Sequence, residues 1–447
     1  MPHLPLQFLN AIGDCPGLQM QNFIETHEKE EKVTSVRFNP FKPVGLDFQC
    51  ASAVPWSQNA CYLSERPSFT LDPLFHAGCY YVQEAGSMFL EHAVRSWLPS
   101  NQPFNILDVC AAPGGKSTLL NSLLPAEGLL VSNELIKTRS RVLADQLGKW
   151  GQSNTIVLNM DPSQLSPIIS HFDLVVVDAP CSGSGLFRKQ PEALEEWSPA
   201  AVDACRTRQK NILGHLAPDM KAGAFLFYST CSYSTQENEE VVEWLQKEYG
   251  LQYKPLPIEK DWGIVDSGAG YRFYPDQTRS EGFFCALLQK SGEQDDRTQR
   301  RKEPAGNLKK EEQQIIMDFV GVKMEDLIQK NGFIYSMPEQ VRRFLNAFEG
   351  RLYVRKAGLC LGELKGRDLV PAHELALSTG LLFRGECLEL EKEEALRFLR
   401  KDVMAIGQQR KGFVRVNYKK QGIGWIKLLG NRVNNYLPNE SRILKQE

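Results

Sequence analysis

Between about residue 70 and residue 290, short apolar runs alternate with segments whose apolar residues recur near every 3.6 positions. NILDV (105–109), GLLVSNE (128–134), NTIVLNMD (154–161), FDLVVVDAP (172–180), GAFLFYSTCS (223–232) and EGFFCALLQK (281–290) predict strands. KSTLLNSLL (116–124), IKTRSRVLADQLGKW (136–150), PEALEEW with AVDACRTRQKNILGHLA, and ENEEVVEWLQKEY predict helices. Ser234 and Glu237 read as a capping box that opens the last of these. The Val-rich run before Asp178 is nearly continuous, as in a central strand covered on both faces. Alternation at this spacing predicts an α/β domain with a doubly wound, mostly parallel sheet and right-handed crossovers.

In such sheets ligands bind outside the carboxyl ends of the strands. That puts four segments on one rim: CAAPGGK (110–116), Glu134, Asp161 and DAPCSGSG (178–185). STCS (229–232) joins them if its strand runs the same way. A set of acids, glycines and thiols on one rim is a candidate site.

The stretch 291–314 has almost no apolar residues and mixes six positive with six negative side chains, so it reads as a charged linker. The expected organisation is 1–70, a small N-terminal α/β element; 71–290, the doubly wound domain; 291–314, the linker; 315–372, an intermediate segment of open role; and 373–447, a β-rich end. The length, 447 residues, suits two to four domains. With 42% hydrophobic and 24% charged residues, the composition excludes collagenous, largely disordered and membrane-bundle classes. No apolar stretch approaches the ~18–20 residues of a spanning helix. MPHLPLQFLNAIGD lacks the order of a secretory leader, so a cytoplasmic protein with no membrane contact is expected.

The net charge of -2 hides an asymmetry. Residues 401–447 hold ten Lys/Arg against three Asp/Glu, which leaves +7 on the tail and -9 on the rest. A basic tail on a mildly acidic body points to a polyanion partner. The eleven cysteines are widely spaced and include no C-x-x-C pair, so neither a metal site nor a disulfide framework is expected, and the thiols read as reduced.

GGKS at 114–117 invites a P-loop reading, but that pattern needs glycine where Cys110 stands. G-x-G-x-x-G is absent as well, which speaks against a nicotinamide enzyme. Small residues before a helix N-terminus still allow a ligand close to the backbone. Glu134, at the next strand end, can accept hydrogen bonds from two ribose hydroxyls. An adenosine-containing ligand without pyrophosphate satisfies both. Asp161 reads either as an Asp–Pro turn or as a partner for the adenine's polar edge. Asp178 ends a buried strand, where a carboxylate is costly unless paired or functional. Cys181 and Cys231 are core thiols or, beside the ligand loop, reactive ones.

Together LDVCAAPGGKST, VSNE, LNMDP, VVVDAPCSGSG and YSTCSYSTQENEEVV resemble the NOL1/NOP2/Sun family of RNA 5-methylcytosine methyltransferases, in order and spacing across 76–290. GCYYVQEAGSM (78–88) resembles the family's entry segment. HELALS, GFVRVNY, GIGWIKLLGNRVNNYLP and SRIL resemble the PUA-like RNA-binding domain of a bacterial ribosomal RNA enzyme of that family. The resemblance implies a Rossmann-like S-adenosylmethionine-dependent methyltransferase fold with a PUA-like end. It implies a cofactor cradle of Cys110, Ala111, Ala112, Pro113, Gly114, Gly115 and Lys116. Glu134 would hold the ribose, Asp161 the adenine and Asp178 the methionine end. It also implies Cys231 as nucleophile and Cys181 as the thiol that helps resolve the adduct.

The chemistry is coherent with two thiols. Carbon 5 of cytosine is a poor nucleophile until a thiolate adds at carbon 6. An acid near ring nitrogen 3 stabilises the developing charge, and Asp178 is the carboxyl best placed. The target base must be unpaired or flipped. TSVRFNP (34–40) resembles an RNA-facing element or is an ordinary edge strand. Arg188 and Lys189 are either phosphate contacts or solvated charges. Tyr418, Trp425 and Tyr436 among the tail's basic residues fit RNA binding by charge and stacking. Small-subunit ribosomal RNA is the expected substrate and transfer RNA the alternative. A non-catalytic RNA-binding assembly factor is the reading from another class. A metal-free monomer is expected.

Overall fold

The computed structural model describes residues 4–29, 32–98, 101–292, 308–366, 368–403, 411–430 and 432–445. At its centre is a ten-stranded sheet. Its parallel part comprises β1 (Asn105–Asp108), β2 (Leu129–Asn133), β3 (Thr155–Leu158), β4 (Leu174–Asp178) and β5 (Phe225–Thr230), in the order β3-β2-β1-β4-β5. Chain order reverses beside β1, so the switch point lies between β1 and β4, where such sheets bind ligands. β6 (Phe283–Lys290) runs antiparallel beside β5. Helices α1 (Gly115–Leu123), α2 (Lys137–Trp150) and α3 (Pro199–Leu216), with the short helix Ser166–Ile169, lie in the crossovers between parallel strands, and α4 (Glu239–Tyr249) leads to the antiparallel β6. The LVVV of β4 is buried throughout, which fits an apolar strand covered on both faces.

The expected capping box does not form. The α4 N-cap is Asn238, and Glu237 turns inward to the candidate site. Ser234 Oγ accepts from the Gln236 amide, at 3.2 Å, and not from an α4 amide among the described residues.

The N-terminal part has two short helices, Leu6–Ile12 and Met20–Glu28, and an antiparallel sheet ordered Cys50–Ala53, Ala60–Leu63, Ser35–Phe38, Tyr80–Val82. Its fourth strand lies beyond the 1–70 expected for this element. TSVRFNP is not an edge strand, since it supplies an interior strand of this sheet. Arg37 within it is 2% exposed and donates to Gln83 Oε1 at 2.8 Å and Thr118 Oγ1 at 2.6 Å. Its guanidinium lies 4.6 Å from the centre of the Trp150 ring. Arg37 thus clamps the N-terminal sheet onto α1. Cys50 and Cys61 on neighbouring strands form a disulfide, which corrects the expectation of eleven reduced thiols; the other nine are free. The pair was hidden because strand pairing, not sequence spacing, brings the two together.

Of the charged linker, 293–307 lies outside the described residues, and its end begins the helix Lys310–Phe319. The intermediate segment builds a four-stranded sheet, Leu327–Lys330, Phe333–Ser336, Leu359–Lys365 and Asp368–Pro371. It also lends the strand Val354–Ala357 to the central sheet, antiparallel to β3. Gly358 turns the chain from one sheet to the other at φ +64, and a Cβ there would meet the Ser336 carbonyl at 2.4 Å. The β-rich end orders Cys387–Glu389, Lys411–Tyr418, Gln421–Leu429 and Val433–Asn435. It shares a core with the N-terminal sheet, where Val36, Leu63 and Leu74 join Leu396, Phe398 and Val416. Tyr418 and Trp425 are buried, so of the three tail aromatics Tyr436 alone is exposed. Among the described residues no helix is long and apolar enough to cross a membrane.

Candidate active site

The first loop is pinned from both sides. The Val109 amide donates to the Val176 carbonyl and the Ala111 amide to the Asn133 carbonyl, both at 2.9 Å. Gly114, at φ +113, precedes α1, and a Cβ there would press on Gln146 and Leu143 at 3.2 and 3.3 Å. Cys110, Ala111, Ala112 and Pro113 lead into this turn, and the Ala112–Pro113 peptide is cis. Gly115 and Lys116 then open α1. Burial pushes the Cys110 thiol up, which keeps it protonated. Asp108, under the loop, is fully buried and accepts the Ser117 hydroxyl at 2.6 Å. Its Oδ1 has no partner among the described residues, and burial pushes its carboxyl up to about 7.

Glu134 is 4% exposed. Its Oε1 accepts the Ile136 amide at 2.9 Å, and Oε2 lies 3.7 Å from Arg139. Arg139 also donates to the Ala112 carbonyl at 2.8 Å, tying α2 to the loop. Asp161 lies on the same rim but is exposed. Its Oδ1 accepts the Ser163 amide and hydroxyl at 2.9 and 2.7 Å, and those bonds lower its pKa. The Asp–Pro turn therefore does form, and it occupies one of that carboxylate's two oxygens.

Asp178 ends β4 opposite Ser229 of β5. Its Oδ2 is 2.8 Å from Lys116 Nζ, and its Oδ1 accepts the Ser229 hydroxyl at 2.8 Å. Burial works against the Lys116 charge, yet the Asp178 carboxylate, together with Asp108 and Cys231, more than offsets it and holds the ammonium above its usual range. The costly buried-strand carboxylate is thus paired.

Cys181 follows β4 and Cys231 follows β5, and parallel pairing of these strands brings their sulfurs to 2.8 Å. The Cys231 amide also donates to Cys181 Sγ at 3.3 Å. Both side chains are partly exposed. The Cys231 thiol, then burial, drives the Cys181 pKa well up. The two loops interlock: the Gly185 amide donates to the Cys231 carbonyl at 2.8 Å, and a Cβ at Gly185 would meet the Gly282 carbonyl at 2.3 Å.

Glu237 holds both thiol loops. Its Oε1 accepts the Ser182 amide at 2.8 Å and Gln209 Nε2 at 3.1 Å. Its Oε2 accepts the hydroxyls of Ser182 and Ser232 at 2.5 and 2.6 Å. Each serine directly follows one of the cysteines. Sequence reasoning missed this role because Glu237 fitted a capping pattern. It also missed Asp108, though an acid ending an apolar strand was the available signal. Arg188, read as either a phosphate contact or a solvated charge, is not solvated. That side chain is 6% exposed and lies 3.6 Å from Glu281, while Lys189 is exposed.

This rim offers a small-residue cradle, three carboxylates (Glu134, Asp161 and Asp178) at the ends of β2, β3 and β4, and a thiol pair. Among the described residues no group of three or more His, Cys, Asp or Glu could hold a metal.

The 16S rRNA methyltransferase RsmB/F profile matches residues 96–289. The profile of the N-terminal domain of 16S rRNA methyltransferase RsmF matches 4–85, and that of the methyltransferase RsmF PUA domain matches 386–443, a stretch within the 373–447 expected for the β-rich end. Ribosomal RNA small subunit methyltransferase F of Shewanella loihica is 28% identical over 98% of this chain and 96% of its own. Its namesake in Vibrio cholerae is 28% identical over 98% and 97%. A solved methyltransferase homolog protein from Pyrococcus horikoshii superposes with a TM-score of 0.54 at 26% identity, covering 63% of this chain and 94% of that one. NSun6 from the same organism, solved with SFG, has a TM-score of 0.55 at 18% identity over 65% and 99%, a likeness of fold. Three profiles in chain order, and relatives matched over nearly their whole length, show that the chain belongs to the RsmB/F family of 16S rRNA methyltransferases.

Proposed function

We propose that the protein transfers a methyl group from S-adenosylmethionine to carbon 5 of a cytosine in small-subunit ribosomal RNA. The observation that carries this reading is the Cys181–Cys231 sulfur pair, 2.8 Å apart on the ligand-binding rim. A binding protein needs neither thiol, whereas addition and elimination at a pyrimidine ring use both.

The residues present fit the cofactor. The loop from Cys110 to Lys116 is lined by small side chains, and the buried Asp108 Oδ1 beneath it lacks a partner among the described residues. Glu134 would hold the ribose hydroxyls, the open oxygen of Asp161 the adenine edge, and Asp178 with Lys116 the methionine end. When bound, the cofactor supplies an electrophilic methyl carbon.

Cys181 keeps its proton, because Cys231 and burial both raise its pKa. That leaves Cys231 as the nucleophile. Its thiolate adds to carbon 6, and the ring electrons move toward carbon 5 and nitrogen 3. Asp178 keeps a partly exposed carboxylate for the polar edge of the base. The Lys116 ammonium beside it offsets negative charge on nitrogen 3, so the pair replaces the lone acid expected there. Once carbon 5 is methylated, its proton must leave. Bonding of Cys231 to carbon removes the first cause of the high Cys181 pKa. Cys181 then gives its own proton to water, and its thiolate accepts the carbon 5 proton, directly or through a water molecule. The carbon 5–carbon 6 double bond re-forms and the Cys231 thiolate departs.

The test is methyl transfer by the purified protein to transcribed small-subunit ribosomal RNA, with transfer RNA alongside, followed by nucleoside analysis. Label in 5-methylcytidine of the ribosomal RNA, lost in Cys231→Ala while RNA binding persists, is the expected result. Label in another nucleoside, or full transfer by Cys231→Ala, refutes the reading.

A further inference from the structure

The intermediate segment touches the same rim. The strand Val354–Ala357 runs antiparallel to β3 with Val354 opposite Leu158, so its N-terminal end meets the carboxyl ends of the parallel strands. The Asn159 amide donates to the Tyr353 carbonyl at 2.9 Å. The Asn159 side chain donates to the carbonyls of Glu134 and Leu135, each at 2.8 Å. Tyr353 therefore stands two strand spacings, roughly 10 Å, from the ribose-binding position.

Its side chain is 70% exposed, and Leu135, Ile136 and Val354 on this edge are exposed as well. Large apolar side chains gathered on a surface mark a contact. The edge is rich in cations, although Glu134 pairs with Arg139, Glu374 pairs with Lys356, and Asp145 and Glu349 lie close by. LIKTRSRV (135–142) and GRLYVRK (350–356) hold six Lys/Arg and no Asp/Glu. Lys137, Arg141, Arg351 and Arg355 are all exposed.

An aromatic face amid guanidinium groups fits unpaired nucleic acid, whose bases stack and whose phosphates pair with arginine. We infer that this edge is a second RNA contact. Tyr353 stacks on an unpaired base of the strand that carries the target cytosine, and Arg351 and Arg355 hold the flanking phosphates. The inference rests on the reading that the chain acts on RNA. Five strand spacings, roughly 24 Å, separate this edge from the end of β5. That distance is about seven stacked nucleotides at a rise of about 3.4 Å.

The test uses the full chain in the Cys231→Ala background, which separates binding from methyl transfer. The probe is transcribed small-subunit ribosomal RNA in filter binding over a salt series, with thermal melts for each variant. Tyr353→Ala removes only an exposed ring and keeps the backbone bond to Asn159, so its melt should match the parent. Affinity is expected to fall between about fivefold and a hundredfold. Arg351→Ala and Arg355→Ala should each reduce the salt slope by about 0.7. Ultraviolet cross-linking should join the Tyr353 peptide to RNA. Unchanged affinity, unchanged slopes and no cross-link to that peptide would overturn the inference. So would variants that lose binding to assembled small subunits alone, since that outcome assigns the edge to a protein partner. If the parent binds and cross-links but no RNA is methylated by the protein with Cys231 intact, the methyl-transfer reading fails and the contact stands.

Discussion

Replacing Glu237 tests how the two sulfurs are held together. Its carboxylate is fully buried and accepts four hydrogen bonds, from the Ser182 amide and hydroxyl, the Ser232 hydroxyl and Gln209. Glu237→Ala strips all four and leaves their donors without that acceptor. At about 1 kcal/mol net per bond, the loss is about 4 kcal/mol. Glu237→Gln keeps the shape and the acceptor toward the Ser182 amide, and both serine hydroxyls can turn to accept from the new amide. It should cost about 1–2 kcal/mol. The charge matters separately. The high Cys181 pKa comes first from Cys231 and burial, then in part from the Glu237 charge. Neutral glutamine therefore shifts thiol ionisation toward lower pH. The assays are urea denaturation and alkylation of Cys181 and Cys231 by iodoacetamide across pH, read by peptide mass spectrometry. A loss below about 1 kcal/mol in Glu237→Ala, with the alkylation profile unmoved in Glu237→Gln, would refute the reasoning.

Two further substitutions test buried charges. Asp108 ionises near 3.8 when unfolded and at about 7 when folded, so the folded state holds the proton more tightly, and the stability it contributes falls as pH rises through this window. Asp108→Asn removes that loss; its stability relative to the parent should grow by roughly 3 kcal/mol from pH 5 to 8, two pH units at about 1.36 kcal/mol each. Equal pH dependence in urea denaturation would show that Asp108 is not so shifted. Arg37 is enclosed between the N-terminal sheet and α1, so Arg37→Met should leave the salt slope of RNA binding unchanged. A slope reduced by about 0.7 would make it a phosphate contact after all.

Much of the site was legible because strand ends in a parallel sheet share one rim. The apolar runs before Asp178 and after Gly223 announced buried strands, and the residues following them had to lie together. What was not legible depended on pairing partners distant in sequence. The 2.8 Å sulfur separation follows from the register of β4 against β5. Glu237 looked like a cap because its spacing from Ser234 satisfies that pattern, and only the buried serines of two loops reveal its use. Arg188 was read as a phosphate contact or a solvated charge because charge suggests solvent, whereas it is buried, as is Arg37. The strand VRKA at 354–357 carries no apolar alternation and so gave no strand signal; pairing with β3 makes it one.

The most direct measurement is the covalent state of Cys181→Ala after incubation with S-adenosylmethionine and small-subunit ribosomal RNA. Without Cys181 to promote loss of the carbon 5 proton, the adduct should persist through a denaturing gel. Peptide mass spectrometry should then find a methylated cytosine bound to Cys231. An adduct on another residue, or full turnover with none, would contradict the two-thiol mechanism.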